Sequence, residues 1–413
     1  MRGDALARHA DREAAPPRPA EAANMFLTMR TIRKARRGAI ACLFVAGIGC
    51  AGANQPAGFA DALTIEAIGR INAIAVGELN SDGRPDIAAV SGEPGRLLIL
   101  LNQGEGRFDR AGEPIAVTPP ASGVVAGDFN EDGRQDLVVA SHDGDAVEAF
   151  FGRGDGSFDP ARSIPLMDRK AGIPHVHNIA SGDFNRDGHL DIVIAQSEDN
   201  AIIVALGDGK GGFAPAGPPT AVGDHPYRVT VADFNGDGNL DVGSPNARSN
   251  DLTIVLGDGR GGLSRVAGEA TALQREPLGL DAAGDLNGDG HVDLVGKSDV
   301  ELNALAVLLG DGTGRFTRHR ESLQAPARTY GQVIVDINGD GMADVVSPSI
   351  HRSSVFIWLA REPAELRFEF MELKTPGTDS QVAAVADLNG DGVLDIVTGG
   401  WERATLAVIL GRR

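Results

Sequence analysis

The stretch Asp183-Phe184-Asn185-Arg186-Asp187-Gly188-His189-Leu190-Asp191 puts oxygen side chains at positions 1, 3, 5 and 9 of a nonamer. Those four side chains, with the backbone carbonyl of position 7, can converge on one hard cation. Gly188 at position 6 permits the sharp turn, as in the first half of an EF-hand loop. Six further nonamers begin at Glu78, Asp128, Asp233, Asp285, Asp336 and Asp387, so successive starts lie 50, 55, 50, 52, 51 and 51 residues apart. A fixed period near 50 is the mark of a repeat architecture. A complete EF-hand is excluded, because position 12, where it needs a bidentate Glu, is Val139 in the second copy and Ile194 in the third.

Each nonamer is embedded in the same surroundings. A β-rich run precedes it, as in Val229-Thr230-Val231-Ala232, and an apolar strand such as Ile192-Val193-Ile194 follows. Next comes a hairpin such as Ile202 to Phe213 around Gly207-Asp208-Gly209. The third repeat reads as four strands, A near 177–181, B near 190–195, C near 201–206 and D from Phe213 outward. No segment carries a helical period. Seven four-stranded units predict an all-β fold, a seven-bladed β-propeller around a central channel. The chain stops at Thr405-Leu406-Ala407-Val408-Ile409-Leu410, which is strand C of the last repeat, whereas Ala62 to Ile68 precedes strand A of the first. This N-terminal strand is expected to complete the last blade, closing the ring and removing an exposed sheet edge.

Charge is consistent with this reading. Residues 1–60 hold 9 Lys+Arg and 4 Asp+Glu, leaving 29 and 53 for the repeats, a net of −24. That balance opposes binding to nucleic acid or an anionic membrane face. Positions 1, 5 and 9 of the nonamers alone supply 21 carboxylates, three per copy. Seven calcium ions would bring the repeat region to about −10. Both cysteines, Cys42 and Cys50, precede the repeats, so no disulfide holds the repeats together.

Residues 1–28 have no apolar period and read as a disordered or misassigned start. Residues 29–53 read as an export signal: a basic segment (Arg30, Arg33, Lys34, Arg36, Arg37), then the short apolar stretch Gly38 to Gly49. Twelve residues are too few to span a bilayer. Cleavage is expected at Ala51-Gly52-Ala53. Alternatively, Gly47-Ile48-Gly49-Cys50 is similar to a bacterial lipoprotein box, with Gly47 where that pattern prefers Leu. Residues 54–60 read as a linker and 61–413 as the propeller. The expected location is the periplasm, the outer membrane through a lipid on Cys50, or the extracellular space.

The seven copies resemble FG-GAP (VCBS-type) repeats, the blades of integrin α-subunit propellers and of many bacterial exported proteins. The resemblance covers residues 61–413 and implies that each nonamer joins strands A and B and holds calcium, up to seven ions in all. By position, the ligands would be Glu78, Asn80, Asp82 and Asp86 in repeat 1, and Asp128, Asn130, Asp132 and Asp136 in repeat 2. Repeat 3 would use Asp183, Asn185, Asp187 and Asp191; repeat 4, Asp233, Asn235, Asp237 and Asp241. Repeat 5 would use Asp285, Asn287, Asp289 and Asp293; repeat 6, Asp336, Asn338, Asp340 and Asp344; repeat 7, Asp387, Asn389, Asp391 and Asp395. Glu78 departs from the pattern, and its extra methylene predicts the weakest site. One site per blade points to structural calcium, coupled to folding.

If the A–B and C–D turns share one face, the B–C and D–A loops form the other, where a ligand would sit. The position six residues before each nonamer lies at the channel mouth and holds His177, Tyr227 and Tyr330; His175 is two residues ahead of His177. Among the B–C loops, Trp401 suits a sugar or protein contact. No nucleophile elbow, metalloprotease helix or P-loop is present. The sequence therefore predicts a monomeric, non-enzymatic binding or adhesion module for a glycan or protein. Two alternatives stand beside it: a carbohydrate-active enzyme of lyase or dehydratase type using His175, His177, Tyr227 or Tyr330, and a purely structural surface protein.

Overall fold

The computed structural model describes residues 58–166, 175–266, 271–273, 279–297, 303–400 and 403–412. The expected start, export signal and Cys50 anchor lie outside these residues, as does Trp401.

Seven antiparallel sheets form the blades. In blade 3, Val176–Gly182, Asp191–Gln196 and Ala201–Gly207 pair in order, and Phe213–Pro215 is the outer strand. Thr220–Ala221 extends that outer edge by pairing with the far end of Ala201–Gly207. Blade 6 instead has a continuous outer strand, Arg367–Lys374, reached through a short 3-10 turn at Pro363–Glu365. In blade 7, Leu63–Glu66 pairs with Thr405–Ile409 as the fourth strand, with Ile65 opposite Leu406. Gly58 and Phe59, which the sequence assigns to a linker, also pair with Gly411 and Arg412.

The second strand of every blade begins on position 9 of the nonamer: Asp86, Asp136, Asp191, Asp241, Asp293, Asp344 and Asp395. Both faces of a blade are covered by neighbouring blades, so the strands after the nonamers read as continuous apolar runs. Apolar clusters fill the gaps between blades. One joins Ile87 and Leu98 of blade 1 to Val397 and Leu406 of blade 7, and another joins Val90 and Leu97 of blade 1 to Leu137 and Phe150 of blade 2. Position 2 of each nonamer plugs one of these gaps: Leu79, Phe129, Phe184, Phe234, Leu286, Ile337 and Leu388 are all at most 2% exposed. The loop that carries the oxygens is thereby locked to the core. Among the described residues, no helix is long and apolar enough to cross a membrane.

Candidate functional site

The A–B and C–D turns do share one rim. Gly156, Gly211, Gly261 and Gly314, in the C–D turns of blades 2 to 5, each donate a backbone N–H to the carbonyl of position 2 in the preceding nonamer: Leu79, Phe129, Phe184 and Phe234. These bonds tie successive blades through the oxygen-bearing loops themselves.

Each loop is built by side chains accepting from its own backbone. In blade 3, Asp187 N–H donates to Asp183 Oδ1 (3.2 Å) and Asn185 Oδ1 (3.0 Å), and Gly188 N–H donates to Asp183 Oδ2 (3.1 Å). His189 N–H donates to Asp187 Oδ1 (2.8 Å). Gly188, at φ +91°, takes the left-handed turn that L side chains rarely adopt. Position 1 departs from this in blade 1: Glu78 accepts from Asn80 and Asp82 through the single oxygen Oε1.

Position 9 has a second task that the spacing alone does not reveal. Asp191 is fully buried, and its Oδ2 accepts from Phe184 N–H and its Oδ1 from Gly207 N–H, both at 2.8 Å. The same pair of bonds recurs in all seven blades, joining position 2 of the nonamer to the end of the third strand. Burial, reinforced by the other carboxylates of the loop, pushes these acids up. Asp86, Asp191, Asp293 and Asp395 rise to about 6, and Asp136, Asp241 and Asp344 to about 7. An all-oxygen donor set whose acids resist ionising together fits a hard divalent cation. In blade 3 each Asp191 oxygen accepts one N–H and keeps a second lone pair for such an ion.

The opposite rim gathers histidines from three consecutive blades. His142 follows the second strand of blade 2, and its carbonyl accepts from Val176 N–H (2.9 Å), which fixes it beside the start of blade 3. His175, at φ +54°, immediately precedes that strand, and its carbonyl accepts from Ser197 Oγ. His177 lies within the strand, and its ring stacks on Tyr227 of blade 4 with centroids 3.9 Å apart. The His142 ring lies 4.6 Å from that of His175 and 4.8 Å from that of His177, and His225 lies 6.0 Å from His177. Arg228, fully buried, sits 5.9 Å from the Tyr227 ring. Burial, then the neighbouring histidines and Arg228, hold His177 well below the usual imidazole range, so its ring is neutral at pH 7. Burial also lowers His225, with Arg248 contributing.

Of the residues named for this face, His175, His177 and Tyr227 come together, with His177 and Tyr227 buried rather than open to solvent. Tyr330 belongs to a different part of the ring, against Lys297, whose ammonium lies 5.7 Å from its centroid. Spacing did not connect His142 to His175, because they are joined only by the packing of consecutive blades. Arg228 gave no signal at all, since an arginine just ahead of the inner strand Thr230–Ala232 reads as solvent-facing.

The sequence matches the FG-GAP-like repeat over residues 78–139, 128–194, 183–244, 285–347 and 336–398. No curated protein matches the chain. Among solved structures, it is similar to a lectin from Agrocybe aegerita that recognises non-reducing terminal N-acetylglucosamine. That likeness has 20% identity and a TM-score of 0.52, covering 86% of this chain and 85% of that one. It is also similar to BBS1N, crystallised in complex with ARL6DN (12% identity, TM-score 0.61, 85% and 96% covered). Virginiamycin B lyase from Staphylococcus aureus is a third (11% identity, TM-score 0.54, 84% and 98% covered). At these identities the likeness is one of fold.

Proposed function

Since the chain belongs to the FG-GAP-like repeat family, we propose that it is an exported, calcium-stabilised propeller that binds a glycan or a protein on the rim opposite its nonamer loops. The observation that carries this reading is the division of labour between the rims. One rim is occupied seven times over by the same self-bonded oxygen loop. The other concentrates His142, His175, His177, His225, Tyr227 and Arg228 where blades 2, 3 and 4 meet. Repetition suits a structural staple, and a single asymmetric cluster suits recognition. The neighbours that recognise a sugar and a protein are consistent with either class of ligand.

The convergence of His175, His177 and Tyr227 also keeps a carbohydrate-active lyase in view. Against it, Tyr227 is stacked flat on His177 and both are buried, which is poor access for a base. A glycan and polysaccharide array probed with the protein in calcium, with bound sugars checked for cleavage, separates the readings. Retention without cleavage supports the binding module, and cleavage replaces it with the lyase. Silence on the array, together with no partner from a cross-linking screen of surface proteins, would overturn both.

A further inference from the structure

We propose that His142, His175 and His177 form a binding site for a divalent transition metal of the zinc type, separate from the calcium loops and at the opposite rim. One nitrogen from each of the three rings lies within 4.8 Å of the others, and among the described residues no second group of this kind occurs. Around a zinc ion with bonds of 2.0–2.1 Å, tetrahedral nitrogens sit about 3.3 Å apart. Small ring rotations therefore close the triad onto one ion.

Three features separate this cluster from histidines that merely pack. First, His177 is 4% exposed, and its Nε2 is buried with no hydrogen-bond partner. A buried polar nitrogen left so carries a desolvation cost that coordination removes. Second, Asp143 is bonded to His142 Nδ1, which leaves Nε2 as the ligating nitrogen. A carboxylate behind a ligating imidazole is the arrangement that orients metal-binding histidines and raises their basicity. Third, the triad is set by backbone: Val176 N–H bonds to the His142 carbonyl, and Ser197 Oγ bonds to that of His175.

The donor chemistry distinguishes this site from the other rim. Neutral imidazoles select zinc, copper or nickel over calcium, which takes oxygen. Arg228 is an adverse charge nearby. Asp143, and Glu198, whose carboxylate lies 3.8 Å from His225 Nδ1, offset it. Three protein ligands leave a fourth coordination position for water or an oxygen of a bound molecule. The metal site stands whether or not this rim also holds a glycan or protein.

The test uses tag-free protein kept in excess calcium and titrated with Co²⁺, followed by displacement with Zn²⁺. The expected result is one saturable equivalent with visible d–d absorption typical of nitrogen ligation, bleached by Zn²⁺. His142→Ala, His175→Ala and His177→Ala should each abolish the band. Asp143→Asn should weaken affinity about 10- to 100-fold. His189→Ala, on the nonamer rim, should change nothing. Because His177 is buried, its variant can fail to fold. His175, which is only partly buried, then carries the test, with near-ultraviolet circular dichroism confirming its fold. Absence of a saturable band in the parent, or a band that survives in both His142→Ala and His175→Ala, would overturn the site.

Discussion

The position-9 aspartates should matter to the fold even with the metal removed, and Asp191 is the cleanest place to show it. It is fully buried, and its two oxygens accept from Phe184 N–H and Gly207 N–H, each at 2.8 Å. Asp191→Ala deletes both acceptors and leaves two buried donors without partners, at about 1–3 kcal/mol each, or about 2–6 kcal/mol together. Asp191→Asn keeps one acceptor oxygen and turns an amide towards the other N–H, so its cost should be about half as large. A pure ligand behaves differently. Asp187 is exposed, and Asp187→Asn keeps an oxygen for His189 N–H, so in chelator it should move stability by no more than about 0.5 kcal/mol. Urea unfolding of the parent and the three variants, each with calcium and with chelator, gives the comparison. Asp191→Ala should remain destabilised in chelator, whereas the Asp187→Asn deficit should appear only in calcium. If Asp191→Ala and the parent unfold together in chelator, position 9 is a ligand only and the double backbone bond carries no weight.

Further expectations concern the metal, the acids and the ring. At ten times the dissociation constant each calcium site contributes about 1.4 kcal/mol, so seven give on the order of 10 kcal/mol. For a domain of this size that corresponds to roughly 10–15 °C of melting temperature lost in chelator, measured by calorimetry. In the chelated protein the position-9 acids have folded pKa values raised to about 6 or 7, above their unfolded value near 3.8. Their contribution is thus fully present below about pH 4 and lost as pH rises through 6 to 7. Calcium-free melts should therefore fall from pH 5 to pH 7.5, and a rise over that window would contradict the assignment. Glu78→Asp should tighten the weakest calcium site, visible as the loss of the lowest-affinity phase in a calcium titration. Deleting residues 58–66 removes the fourth strand of blade 7 and exposes the core around Leu406 and Val408. It should lower the melting temperature cooperatively, and an unchanged melt would refute the ring closure.

The architecture was readable because a 50-residue period and an alternation of loop and strand report directly on backbone geometry. The nonamers stated their ligands through residue type and spacing, and strand boundaries in blade 3 fell within a residue or two of expectation. Spacing does not report what returns to a residue from elsewhere in the chain. Gly207 reaches Asp191 only after the third strand has folded back, so the structural half of position 9 was hidden. The same limit hid the histidine cluster, since His142 and His175 belong to different blades. At the channel-mouth position, the cover that neighbouring blades give His177, Tyr227 and Gln381 is equally invisible in the spacing. His177 stacks on Tyr227, and Gln381 donates its amide to the Ile71 carbonyl of the next blade.

The measurement that bears most directly on the central claim is a count of calcium ions per folded chain, by isothermal titration of chelated, refolded protein with metal analysis of the product. Seven ions, with the loop at Glu78 filling last, is the expected result. A chain that binds no calcium, or that melts identically with and without it, would contradict the assignment of one rim to metal staples and leave the opposite rim without its claim to be the binding face.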